Sequence, residues 1–297
     1  MSARDQLLVV IDPVARRTDG ESVRIAKDVL GAAAAVRVCL PDGPEDFAKA
    51  LARRGARRLV VVGDDRTLVR AVAVLHRERE LASCSLSVVP VGAAQVLTRA
   101  LGVPSGAVAA ARAVLEGVER RLDLLVDDRD GVVLGELRIP PISGVGAAAG
   151  AGASSGEGAA GEGSGGVADA DGHHPWLRSC QSFVRTLASR PSRPSRVASV
   201  PGPAPARLRV EADGVLVVDL DQPVEGVFLT PGDGGYAEVE VRRASVGAEA
   251  AALRVRARTI TVSGADFRYR ADAVVAGPVR TRTWTVRPRA WGLTLPK

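Results

Sequence analysis

Aromatic residues are scarce in this chain, nine among 297, as four Phe, three Trp and two Tyr. Single-strand and RNA binders stack bases on interleaved aromatic side chains, and this shortage sets nucleic acid aside as a partner. Cysteine is nearly absent as well. Cys39, Cys84 and Cys180 lie far apart, are odd in number and never form a CxxC pair, so neither a disulfide framework nor a thiolate zinc site is expected. Lysine occurs only at Lys27, Lys49 and Lys297. Almost all positive charge is therefore arginine, which we read mainly as an Arg- and Ala-rich compositional habit. No apolar run reaches the ~18 residues of a membrane span, and the run ending at Ile11 is shorter than the roughly 7–15 residues of a signal-peptide core. A reduced, cytoplasmic protein is expected.

What is present is a chain 46% hydrophobic and 25% charged, with 40 Lys+Arg against 34 Asp+Glu, a net +6. The length suits two domains. The mild positive balance is compatible with ATP, phosphorylated substrates or an anionic membrane surface without selecting among them.

Short Val- and Leu-rich runs at 7–12, 36–40, 59–62 and 86–91 predict strands buried on both faces. Helical patterns over 20–35, 44–54, 67–79, 95–101 and 105–116 follow or separate them, which predicts a Rossmann-like α/β unit with a parallel sheet. Residues 143–172 are nearly all Gly, Ala, Ser and acids and predict a flexible insert within 141–175. A Pro- and Arg-rich linker at 189–206 should be stiffer. Between them Trp176, Leu177, Cys180, Phe183, Val184 and Leu187 share one helical face, flanked by Arg178, Arg185, Arg190, Arg193 and Arg196. Such a helix packs on its own protein or lies on an anionic membrane. His173-His174 has no further metal ligand at suitable spacing.

From Arg207 the period changes to two. Asp213-Gly214 separates two alternating runs as a hairpin turn, Ser263-Gly264 stands in a similar position, and PGDGGYAEV at 231–239 reads as another turn. The C-terminal half is expected to be an antiparallel β-sandwich. The division is a nucleotide-binding unit over 1–126, completed by 287–297, and a β unit over 127–286.

The segment LVVVGDDRTLVRAV, 59–72, runs an apolar strand into Gly63-Asp64-Asp65-Arg66-Thr67 and then a helix. A strand, tight turn and helix N-terminus can present backbone N–H groups and a helix dipole to a phosphate. Thr67 either caps the helix or contacts a phosphate, and Asp65 is placed to orient magnesium or a nucleotide hydroxyl. An ordinary strand-to-helix connection with acidic caps fits the same residues.

Together with VVPVGAAQVLTRALGVP at 88–104, this segment resembles the catalytic domain of diacylglycerol kinases and their sphingosine-kinase and bacterial lipid-kinase relatives. Gly63, Asp65 and Thr67 match the family's Gly-Gly-Asp-Gly-Thr turn. Pro90, Gly92, Leu97, Arg99, Leu101, Gly102, Val103 and Pro104 match its second motif, and Asp12-Pro13 stands where the family has Asn-Pro. The likeness extends over about 7–126, ending near Leu122-Asp123 at the domain crossing.

The resemblance implies ATP and Mg2+ as cofactors, a lipid such as diacylglycerol as substrate, and a nucleotide in the interdomain cleft. Asp12, Gly63, Asp65, Arg66, Thr67, Gly92 and Gln95 become the cofactor-binding positions, with Asp65 on the metal. Asp272, in Asp272-Ala273-Val274 before the closing strand, stands where the family has an Asp-Gly-Glu turn and becomes the candidate general base. Several positions depart from the pattern. Asp64 and Arg66 replace glycines, Ala93 replaces threonine, and Gln95 and Val96 replace asparagine and aspartate. Arg66 is a candidate substitute cation for the phosphates. A lipid kinase and an inactive relative used as a binding or regulatory module are both consistent with these residues.

Overall fold

The computed structural model describes residues 6–141, 205–244 and 251–297. The insert, the 176–188 helix, His173-His174 and nearly all of the Pro/Arg-rich linker lie outside the described residues. The first half runs β1 (Gln6–Ile11), α1 (Pro13–Thr18), α2 (Gly20–Ala33), β2 (Ala35–Cys39), α3 (Pro44–Ala52), β3 (Arg58–Gly63), α4 (Asp65–Arg77), β4 (Ser85–Pro90), α5 (Val96–Ala100) and α6 (Ala107–Glu116). The four strands pair in parallel in the order β2-β1-β3-β4.

Alternation along the strands divides the core in two. Leu7, Val9, Ile11, Val60 and Val62 face α2 and α6 through Leu30, Ala110 and Val114, whereas Leu8, Val10, Leu59 and Val61 face α3 and α4 through Phe47, Leu51, Leu68 and Leu75. Burying each such Leu or Val stabilises by about 1.5–3 kcal/mol, so a one-residue slip of register would exchange the two faces and lose both cores. The helix α1 was not expected. Pro13 at its first position and Asp12 as its cap, accepting from the Val14 N–H at 2.6 Å, explain it.

The second half is β5 (Val118–Asp127), β6 (Val132–Val133), β7 (Leu137–Ile139), β8 (Leu208–Ala212), β9 (Val215–Val218), β10 (Val224–Pro231), β11 (Ala237–Arg243), β12 (Leu253–Ala257), β13 (Thr259–Ala271) and β14 (Val274–Leu295). All pairings within it are antiparallel. They enclose a separate core that includes Leu137, Val210, Val227, Val239, Ile260 and Trp284, with Tyr269 edge-on to Trp284 at 5.3 Å. Hydrogen bonding is continuous through β14, whose Gly292 and Leu293 pair in parallel with Ser85 and Leu86 of β4.

Asp213-Gly214 forms the β8–β9 hairpin turn, with φ of 50° and 79°. Residues 232–236 form the β10–β11 turn, closed by the Gly232 N–H on the Tyr236 carbonyl. Ser263-Gly264 is not a turn. It lies inside β13, where pairing passes from β8 to β7 across a bulge. A Cβ at Gly264 would stand 2.8 Å from Leu208 Cδ2 and 2.9 Å from the Arg207 carbonyl, so glycine is used there for close strand approach. The actual β13–β14 turn is Asp272-Ala273.

Candidate functional site

The candidate site lies at the C-terminal ends of β1, β3 and β4, where ligand crevices of parallel sheets occur. β3 ends at Gly63, and its backbone crosses to the next strand through the Val91 N–H on the Gly63 carbonyl at 2.9 Å. α4 then begins with Asp64 as its cap. The Asp64 carboxylate accepts from the Thr67 N–H at 3.1 Å, so Asp64, and not Thr67, caps the helix.

Thr67, 1% exposed, aims its hydroxyl back at two carboxylates, Asp12 Oδ2 at 3.0 Å and Asp64 Oδ1 at 3.1 Å. One hydroxyl proton serves only one of them at a time. The remaining negative charge is met by Arg70, whose Nη1 donates to Asp12 Oδ2 at 3.2 Å. Arg70 was not among the expected residues. It lies one helical turn beyond Thr67, and that i, i+3 spacing placed both on one face of α4.

Gly63 has its own reason to be glycine. A Cβ there would be 2.6 Å from Thr67 Oγ1 and 2.7 Å from Thr67 Cβ, so the space left by its missing side chain is filled by this chain's threonine.

Asp65, 4% exposed, points away from Asp12. Its two oxygens accept from the Leu97 N–H at 2.9 Å and the Thr98 N–H at 3.0 Å, and its own N–H donates to the Ala94 carbonyl at 2.9 Å. A carboxylate at the start of α4 thus holds the buried donors at the start of α5 that have no partner within that helix. Gln95 folds back to donate from Nε2 to the Gly92 carbonyl at 2.8 Å. Gly92 has φ of 114° and needs its freedom for this tight loop.

Arg66 is exposed and makes no hydrogen bond or ion pair among the described residues. It lines a groove of about 450 Å³ with Val69, Arg70, Ala273, Val274 and Val275. The tip of the β13–β14 hairpin therefore lies beside α4, and the residue that opens that tip is Asp272. Its carboxylate accepts three backbone N–H groups of the loop before β7, from Leu134 and Gly135 at 2.8 Å and Glu136 at 3.0 Å. Burial pushes the Asp272 carboxyl above the usual carboxylate range, the three N–H donors oppose this, and the nearby charge of Asp65 adds to the rise.

Asp123 was noted only as part of the domain crossing. Its carboxylate accepts from the Gly235 N–H at 2.7 Å and the Arg289 N–H at 2.8 Å. It ties the 232–236 turn and the bulge of β14 to β5, and no local pattern in the sequence signals that role.

At the 63–67 turn the Asp65 N–H is thus taken by Ala94 and the Thr67 N–H by Asp64, and the carboxylates are engaged by Thr67, Arg70 and α5. Among the described residues no group of three or more His, Cys, Asp or Glu is arranged to hold a metal ion. Asp12 and Asp64 put negative charge at the α4 N-terminus, which opposes a bare phosphate there, whereas carboxylates are the ligands that magnesium takes. No helix among the described residues is long and apolar enough to cross a membrane.

Comparison with known proteins agrees with the architecture. A crystal structure of a diacylglycerol kinase from Bacillus anthracis str. Sterne matches with a TM-score of 0.65 at 12% identity, covering 99% of this chain and 98% of that one. Another crystal structure from the same organism reaches 0.67 at 13% identity with the same coverage. No curated protein matches. The diacylglycerol kinase catalytic domain model matches residues 6–126. The chain carries a diacylglycerol-kinase-like catalytic domain over these residues, within the fold of bacterial diacylglycerol-kinase-like proteins.

Proposed function

We propose that this diacylglycerol-kinase-like chain does not transfer phosphoryl groups and serves in the cytoplasm as a binding or regulatory module on the family's fold. Asp64 carries the reading. Its carboxylate occupies the cap of α4, where a phosphate would otherwise meet the helix N-terminus, and Asp12 adds a second negative charge within reach of the same hydroxyl. Phosphoryl transfer is catalysed mainly by positioning and charge neutralisation, and here Arg70 is spent on Asp12 while the Asp64 carboxylate at the helix cap has no cationic partner among the described residues.

The test is incubation of the full chain with Mg-ATP and mixed diacylglycerols or sphingoid bases, with thermal unfolding read in parallel. Neither phospholipid product nor an ATP-dependent rise in Tm is expected. In Asp64→Gly combined with Arg66→Gly, which restores the family's glycines, ATP raises Tm. Product from the parent chain overturns the proposal.

A second reading, an ATP- and Mg2+-dependent lipid kinase acting on a substrate such as diacylglycerol at the membrane surface, is favoured by Asp272. Its raised carboxyl at the hairpin tip, close to Asp65, suits a general base. In that case Asp12, Gly63, Asp65, Arg66, Thr67, Gly92 and Gln95 would hold the nucleotide, with Asp65 on the metal. Loss of product in Asp272→Asn without loss of ATP binding would mark this reading.

A further inference from the structure

The outward face of β13, β7, β10, β11 and β12 has an arrangement unrelated to the 63–67 turn. Register places Arg270 opposite Arg138, Arg138 opposite Phe228, Phe228 opposite Glu240 and Glu240 opposite Arg254. Their strand neighbours Leu137, Ile139, Val227, Leu229, Val239 and Val241 are in the core, so the period of two turns this row outward.

Glu240 is already committed, accepting from Arg242 at 2.7 Å and Arg254 at 3.0 Å. Arg138 and Arg242 stack on the Phe228 ring, at 4.7 and 4.6 Å from its centre. Among the described residues neither Arg138 nor Arg270 has a hydrogen-bonded or ion-paired partner, and the Nε of each is buried without an acceptor.

Two like charges directly opposite on neighbouring strands destabilise a sheet, and a buried donor without an acceptor adds to the cost. Burial pulls the Arg138 guanidinium below its ordinary range, and the charges of Arg242 and Arg270 act the same way against the opposing charge of Glu136. An anion held by the outer ends of the two guanidinium groups would relieve their mutual repulsion. A groove of about 670 Å³ opens on the same face, lined by Phe228 and by a mixed set of charges, Glu136, Glu238 and Glu240 with Arg242, Arg254 and Arg256, and Arg138 and Arg270 stand outside that lining.

We propose that the opposed pair Arg138 and Arg270, beside the Arg242–Glu240 ion pair, forms a binding site for a phosphoryl group, carried by a small phosphate ester or by a lipid headgroup. Guanidinium forks match phosphate oxygens pairwise, and two of them without acidic partners among the described residues suit a dianion better than a single carboxylate. The site is independent of the 63–67 turn and of whether the chain is a kinase.

Thermal unfolding of the full chain in rising inorganic phosphate, against chloride at equal ionic strength, provides the test. A saturable rise in Tm is expected. Arg138→Gln and Arg270→Gln, which each remove one of two opposed charges, should melt at or above the parent without phosphate and lose the phosphate-dependent rise. Arg270 stacks on no aromatic ring among the described residues, so Arg270→Gln alone carries the test if Arg138→Gln folds poorly.

Flotation with phosphatidylcholine vesicles, with and without phosphatidic acid, separates the sources. Recovery that needs phosphatidic acid and is lost in Arg270→Gln identifies a lipid headgroup. A phosphate-dependent rise without flotation identifies a small ester. No saturable rise and no selective flotation, or responses that persist in both variants, overturn the proposal.

Discussion

Replacing Asp65 by alanine separates its structural work from a role confined to catalysis. The carboxylate is buried and accepts the Leu97 and Thr98 N–H groups at the start of α5. Alanine leaves both donors without a partner, and each buried unsatisfied donor costs about 1–3 kcal/mol. The favourable charge at the helix terminus, about 0.3–1 kcal/mol, is lost as well. Recovery of the desolvation of Asp65 offsets part of this sum, which leaves about 3 kcal/mol as the expected loss. With about 2–4 °C per kcal/mol for a body of this size, Tm should fall by about 6–12 °C. Asp65→Asn keeps one acceptor and turns an NH2 toward the other donor, so its loss should be about half as large. Thermal unfolding and urea titration with an unchanged slope measure both. An Asp65→Ala protein melting within about 1 °C of the parent would refute the assignment of Asp65 as the acceptor that joins α4 to α5.

Gly63→Ala forces a Cβ to 2.6 Å from Thr67 Oγ1 and should cost about 1–3 kcal/mol through displacement of the Asp12–Thr67 contact. Gly20→Ala, whose Cβ meets nothing within 4 Å, should leave the urea midpoint unchanged or raise it. Asp272 adds a pH dependence. Its folded pKa is raised, so its contribution to stability is fully present below about pH 4, the ordinary carboxylate value, and is lost as pH rises through the folded value. The difference in urea midpoint between wild type and Asp272→Asn should therefore change across that window and be flat above it. A constant difference from acid to neutral pH would show that burial does not perturb this carboxyl.

The unbroken apolar runs at 7–11 and 59–62 and the helical spacing of 67–79 were enough to determine the parallel α/β half, because strands buried on both faces and amphipathic helices carry their environment in local order. Asp213-Gly214 likewise announced its turn through the positive φ that these residue types tolerate. Ser263-Gly264 looked the same in sequence but serves a bend in β13, since a glycine accommodates either a turn or a close strand, and only the approach of Leu208 distinguishes them. The candidate site divides along the same line. Its members Asp12, Gly63, Asp65, Thr67 and Gly92 were legible as a motif in order and spacing. What their side chains face was not. The direction of Asp65 toward α5, the Arg70–Asp12 pair, the three N–H groups on Asp272, the tie made by Asp123 and the unpartnered Arg138 and Arg270 all join residues distant in sequence. Hydrogen bonds and charges act over a few ångströms in space, and only the packed chain brings those groups within that range.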